Sequence, residues 1–111
     1  MGPVTLTFIA RVPQHGVDDF LKYERSIIPV LIEHGGLIER RLRSVDERVE
    51  IKVVRFPSQE AYEELARDYR CRAAEPLLES SEATVEVFAV QEVDWDTLVP
   101  SGAAQRPDGY I

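Results

Sequence analysis

Cysteine is almost missing: the chain has only Cys71, so no internal disulfide can form, which fits a reducing cytoplasm better than an export pathway. Long apolar runs are missing too. No stretch approaches the length of a membrane span, and no basic region followed by an apolar core opens the chain, so neither a membrane protein nor a secreted one is expected. There is no internal repeat and no low-complexity block. Positive charge is in deficit, with thirteen basic residues against twenty acidic ones and a net charge of −7. That balance argues against a nucleic-acid partner, whose phosphates need a basic surface. Arg40, Arg41 and Arg43 do crowd one stretch, but Glu39, Glu50 and Glu86 offer them partners on neighbouring strands. Cysteine and histidine together number three and are scattered, too few for a structural zinc site and without the spacing of a haem ligand set. No cofactor is expected.

What is present is an order of elements. Val4 to Arg11 alternates Val4, Leu6, Phe8 and Ala10 with Thr5, Thr7, Ile9 and Arg11, the period of a strand. From Val17 to His34, the residues Val17, Phe20, Leu21, Ile27, Ile28, Leu31 and Ile32 recur at three- and four-residue spacing, a helical stripe. Asp18 and Asp19 suit its first turn and Gly35-Gly36 its end, while Pro29 predicts a kink or two consecutive helices. Leu37 to Val45 and Val49 to Phe56 read as strands joined by a turn short enough to force an antiparallel hairpin. Ser58 is a good N-cap for a second helix, which Pro76 threatens to break, and Thr84 to Val93 reads as a fourth strand. Residues 1–95 therefore form one domain, and 96–111, rich in Pro, Gly and small residues, form an extended or flexible tail.

Strand, helix, two strands, helix and strand is the ferredoxin-like α+β order, an antiparallel sheet with both helices on one face. Its other face carries Thr7, Ile9, Val54, Phe56, Phe88 and Val90 mixed with Lys52 and Glu86, too apolar to stand in water. A second copy of the sheet would cover it, so a homodimer packed face to face is expected.

Tyr23 and Pro29 in the first helix, Gly35-Gly36 before the second strand, Phe56-Pro57-Ser58 opening the second helix, and Tyr69 within it also carry a likeness. Over Val4 to Val93 the chain resembles the dimeric α+β barrel superfamily, among its small, largely uncharacterised bacterial single-domain proteins and, more distantly, the antibiotic biosynthesis monooxygenases. The superfamily also includes muconolactone isomerases, haem-degrading enzymes, polyketide cyclases and dye-decolourising peroxidases, and fold analogy does not choose among them. The resemblance implies a small, partly apolar ligand in a cleft between sheet and helices. Leu6 and Phe8 on the first strand, Ile27 on the first helix and Leu65 on the second would line it, and Tyr23 and Tyr69 would turn hydroxyls toward it.

His34 could move a proton there, with Glu39 as its partner carboxylate, although its place at a helix C-terminus already explains it as a cap. His15 lies in an exposed loop. Arg70 and Arg72 flank Cys71, but adjacent helical residues point apart, so an inert thiol is the better reading. The serines have no triad context, and Gly35-Gly36 precedes a strand, the reverse of a phosphate-binding loop. Three functions fit: a cofactor-independent monooxygenase, isomerase or cyclase with Tyr23, His34 and Tyr69 as catalytic candidates; a non-catalytic ligand-binding module; or a dimerisation domain whose tail docks on a partner. The first is preferred.

Overall fold

Strands β1 (Val4–Arg11), β2 (Leu37–Arg43), β3 (Val49–Phe56) and β4 (Thr84–Val90) form one sheet, with helices α1 (Val17–Glu33), α2 (Gln59–Arg67) and α3 (Tyr69–Ser81) against it. The computed structural model describes residues 2–94; the expected tail, 96–111, lies outside the described residues. The sheet order is β2-β3-β1-β4 with every neighbouring pair antiparallel, so the ferredoxin-like α+β order predicted from the sequence is the fold.

The helix ends follow local chemistry. Asp18 and Asp19 occupy the first turn of α1, and Pro29 stays inside one continuous helix, so the alternative of two helices is not realised. At its C-terminus Gly36 N–H donates to Leu31 O and Gly35 N–H to Ile32 O, both at 3.0 Å, with Gly35 at a φ of 88°. This paired closure needs a left-handed residue, which glycine supplies without steric cost. Ser58 caps α2 by accepting from Ala61 N–H at 3.0 Å. The predicted break in the second helix exists, but at Asp68 rather than Pro76. Asp68 takes an extended conformation, ends α2, and caps α3 by accepting from Arg70 N–H at 2.9 Å. A side-chain acceptor that starts a new helix outweighs a proline whose missing N–H costs one bond.

Two strands are shorter than expected. β2 stops at Arg43 because Ser44 begins the turn, its hydroxyl donating to Asp46 at 2.6 Å and accepting from Val49 N–H at 2.9 Å. β4 ends at Val90.

Register corrects one expectation about the faces. Leu6 pairs with Val54, Phe8 with Lys52 and Ala10 with Glu50, so Val54, Phe56 and Lys52 face the helices and not the open side. The period-2 pattern of β3 suits either face, and the charges of Glu50 and Lys52 mark no solvent because they are matched inside. The open face is built instead from Thr7 and Ile9 of β1, Ile51 and Val53 of β3, Leu42 of β2, and Phe88 and Val90 of β4.

A short 3-10 turn, Gln14–Gly16, joins β1 to α1 and presses against the end of α3. A Cβ at Gly16 would lie 1.9 Å from the Ser81 carbonyl oxygen, with backbone on both sides and no flexible atom to yield. Gly16→Ala is expected to cost about 3 kcal/mol, seen as a lower urea midpoint with the slope retained.

Candidate functional site

The apolar core is divided. Leu6, Val30, Leu31, Val54, Phe56 and Leu65 form one cluster, and Ala10, Val12 and Phe20 a second. Between them, sheet and helices leave a cleft of about 320 Å³, a volume suited to a small molecule. Phe8 and Val87 form its sheet wall, Ile27 and Leu31 line it from α1, Tyr62 and Leu65 from α2, and Leu78 from α3. Tyr62 is held in place by Phe8 and Phe56, whose ring centroids lie 6.1 and 5.5 Å from its own.

Buried charged groups interrupt this apolar lining at one place, while the exposed Glu75 of α3 borders it elsewhere. Glu24 on α1, and Glu50 and Lys52 on β3, all border the cleft and are only 2%, 3% and 6% exposed. Lys52 Nζ donates to Glu24 Oε2 and lies 3.8 Å from Glu50 Oε2. Arg41 on β2 bridges both carboxylates, its Nη2 donating to Glu24 Oε1 and its Nε to Glu50 Oε2 at 3.0 Å each; Arg43 Nε donates to Glu50 Oε1 at 2.8 Å. The sheet register dictates this meeting, since Arg41 stands beside Lys52 and Arg43 beside Glu50. Among the described residues no buried side-chain nitrogen or oxygen lacks a partner. Burying charges costs several kcal/mol per ion before pairing, and a core needs none of them. Their position on a cleft is the arrangement in which such groups serve chemistry.

The two carboxyls are driven apart in acidity. Burial, then the neighbouring Glu50, pushes Glu24 above the usual carboxylate range against the pull of Lys52. Burial also pushes Glu50 upward, but its bonds with Glu24, Arg43 and Arg41 and the charge of Lys52 outweigh that and hold it at about 2. Burial, then the charges of its neighbours, pushes the Tyr23 phenol up to about 12, so it remains a proton donor throughout the physiological range. Cys71 is half-buried, and burial followed by the Asp68 charge pushes its thiol up, against the pull of Arg70, in line with an inert role.

Of the residues singled out in the sequence, Phe8, Tyr23, Ile27 and Leu65 converge on the cleft. Leu6 is buried in the first core cluster and is not among the residues lining the cleft. Tyr69 stands outside, 77% exposed, with the Arg70 guanidinium 6.0 Å from its ring centroid. His34 is the C-cap residue of α1, and its carboxylate partner is Asp68, with Nε2 2.9 Å from Oδ2, rather than Glu39, which sits 4.0 Å from Arg55. Asp68 also accepts from Arg70, which reaches on to Glu33, so this group pins α1 to the start of α3. His15 is exposed and lies 2.7 Å from Glu82 Oε1. Among the described residues no group of three acidic, cysteine or histidine side chains is placed to hold a metal, and no helix is long and apolar enough to cross a membrane.

Glu24, Glu50 and Lys52 are the members that the sequence pattern passes over as site residues. A signal for Glu24 is present: Phe20, Glu24, Ile27 and Leu31 share one helical face, so a lone carboxylate falls on the apolar stripe.

No protein-family model matches the sequence, and no curated protein does. Solved structures do share its fold. A Caulobacter crescentus protein provisionally assigned as an antibiotic biosynthesis monooxygenase superposes with a TM-score of 0.65 at 16% identity, over 82% of this chain and 92% of that one. A Mycobacterium tuberculosis protein gives a TM-score of 0.66 at 17% identity over 84% and 97%. SnoaB, a cofactor-independent oxygenase from Streptomyces nogalater, gives 0.64 at 14% identity over 84% and 97%. At these identities the shared property is the fold alone, ferredoxin-like α+β.

Proposed function

We propose that this protein is a cofactor-independent enzyme of monooxygenase, isomerase or cyclase type, acting on a small, partly apolar cyclic molecule in the sheet–helix cleft. The carrying observation is the cleft itself, apolar over most of its wall with a buried charged cluster on one side. An apolar enclosure fixes a ring by shape and excludes water, while a few polar groups orient its oxygen. Tyr23 is the nearest of the three catalytic candidates to that role, because its phenol borders the cleft and stays protonated. The fold it shares with a cofactor-independent oxygenase supports the reading. We further propose that it works as a homodimer through the open sheet face and that it resides in the cytoplasm, as the lone cysteine suggests. A non-catalytic binding module would use the same cleft.

The test is binding of small cyclic ketones and phenols by saturation-transfer NMR, with Ile27→Trp filling the cleft. Binding to the wild type that is lost in Ile27→Trp is the expected result; binding indifferent to that change would put the ligand elsewhere. With a turned-over substrate, Tyr23→Phe should lower kcat about tenfold or more. Unchanged turnover in Tyr23→Phe, His34→Gln and Tyr69→Phe alike would remove all three from the chemistry.

A further inference from the structure

The geometry points to Glu24 as the group that takes a proton from carbon in this cleft, with Lys52 as the donor to the adjoining oxygen, and to an enolisable cyclic ketone as the substrate class. The inference rests on the cleft being the ligand site. Two carboxyls bonded to the same arginine have been pushed to opposite sides of the ordinary range, which divides their roles. Glu50, held at about 2, is a fixed charge that keeps Arg41, Arg43 and Lys52 in place. Glu24, raised by burial, is a stronger base than an ordinary carboxylate, suited to accepting a proton and returning it.

Placement selects the substrate. Lys52 Nζ lies against Glu24 Oε2, so base and hydrogen-bond donor face the cleft side by side. An acidic C–H next to a carbonyl offers its proton and its oxygen on neighbouring atoms, the spacing that such a pair can meet at once. Within this cluster three cations, Arg41, Arg43 and Lys52, surround the carboxylates of Glu24 and Glu50, one positive charge in excess before the proton moves, while the other acid bordering the cleft, Glu75 on α3, is exposed to water. That excess favours an anion that forms during reaction in a water-poor site. The apolar walls, Phe8, Ile27 and Leu31 among them, favour a neutral ring at the start.

The step balances without another reactant. The Glu24 carboxylate takes the proton from the carbon beside the carbonyl. The C–H electron pair becomes the new C=C bond, and the carbonyl π pair moves onto oxygen, where Lys52 N–H donates. Return of the proton from Glu24 to the same carbon is exchange; its return to a conjugated carbon further along is isomerisation.

The experiment uses 2-tetralone in D₂O without carboxylate buffer, following deuterium at the carbon between ring and carbonyl by NMR, with binding read separately by saturation transfer. Wild-type protein should bind the ketone and exchange that position faster than buffer, with a rate that falls as pH drops through an inflection above the ordinary carboxylate range. Glu24→Gln should bind and lose about a hundredfold in exchange. Binding with exchange no faster than buffer overturns the inference and leaves the cleft reading standing, whereas absence of binding overturns both. Equal exchange in wild type and a folded Glu24→Gln removes Glu24. Should Glu24→Gln fail to fold, Glu24→Asp and the wild-type pH profile decide: undiminished exchange in Glu24→Asp, or a profile lacking the high inflection, overturns the assignment.

Discussion

Lys52→Met is expected to destabilise the folded subunit by about 3–5 kcal/mol, measured as a fall in urea midpoint at constant slope. The stem of Lys52 lies near Phe8, with Nζ 6.0 Å from the ring centroid, so methionine replaces most of its packing and the loss is electrostatic. Removing the ammonium leaves Glu24, almost wholly buried, with Arg41 as its remaining ionic partner. Breaking a buried pair costs far more than never having built it. The double variant Glu24→Leu/Lys52→Met should therefore recover most of the loss, and the double-mutant cycle should return a coupling of about 2 kcal/mol or more.

Acidity gives that prediction a second handle. Without Lys52, the folded-state value of Glu24 rises further above its unfolded value. A carboxyl raised in this way costs stability at pH above its folded value, and the cost disappears as protonation neutralises it. The deficit of Lys52→Met relative to wild type should accordingly shrink between neutral pH and the ordinary glutamate value of 4.5. Glu50 works in the opposite sense. Its depressed value contributes stability that is complete above 4.5 and is lost as pH falls toward about 2, so the comparison belongs above that window. A deficit constant across the upper range would assign the loss to packing over Phe8 instead.

Most of the fold was legible because it depends on periodicity and punctuation. β1 and β3 have the predicted bounds, and α1 ends where Gly35-Gly36 ends it. The apolar side of the cleft was legible through the resemblance, which implied a sheet–helix cleft, and Phe8, Tyr23, Ile27 and Leu65 do line one. Its charged members were not. Lys52 reads as an open-face residue and Glu50 only as a cross-strand partner of the arginines, because a charged residue on a strand is nearly always solvated, and only pairing across three elements reverses that rule. Glu24 interrupts the α1 stripe in the gap between Leu21 and Ile27, where a helix of 3.6-residue period needs a buried residue. Partners distant in sequence decide such cases: Asp68 displaces Glu39 beside His34 because α3 begins next to the end of α1, a contact that no local pattern encodes.

Ile51→Glu is expected to dissociate the proposed homodimer while leaving the subunit folded. Ile51 lies at the middle of the open sheet face, between Ile9 on β1 and Leu42 on β2, and its side chain points away from the helices. Around it the face carries Phe88 at 48% exposure and Leu42 at 47%, large apolar surface for a subunit to leave in water. In a face-to-face pair related by a twofold axis, each protomer would bring one unpaired carboxylate into the dry centre. At about 4 kcal/mol for that burial, the dissociation constant rises on the order of a thousandfold, readable by sedimentation equilibrium. Val45→Glu, at a fully exposed turn position beyond β2, is the control and should leave association unchanged. A wild-type chain that sediments as a monomer would defeat the dimer and return the apolar face to some other partner. Because the cleft lies on the opposite side of the sheet, a monomeric Ile51→Glu should still bind ketone, and loss of binding there would make the second subunit part of the site.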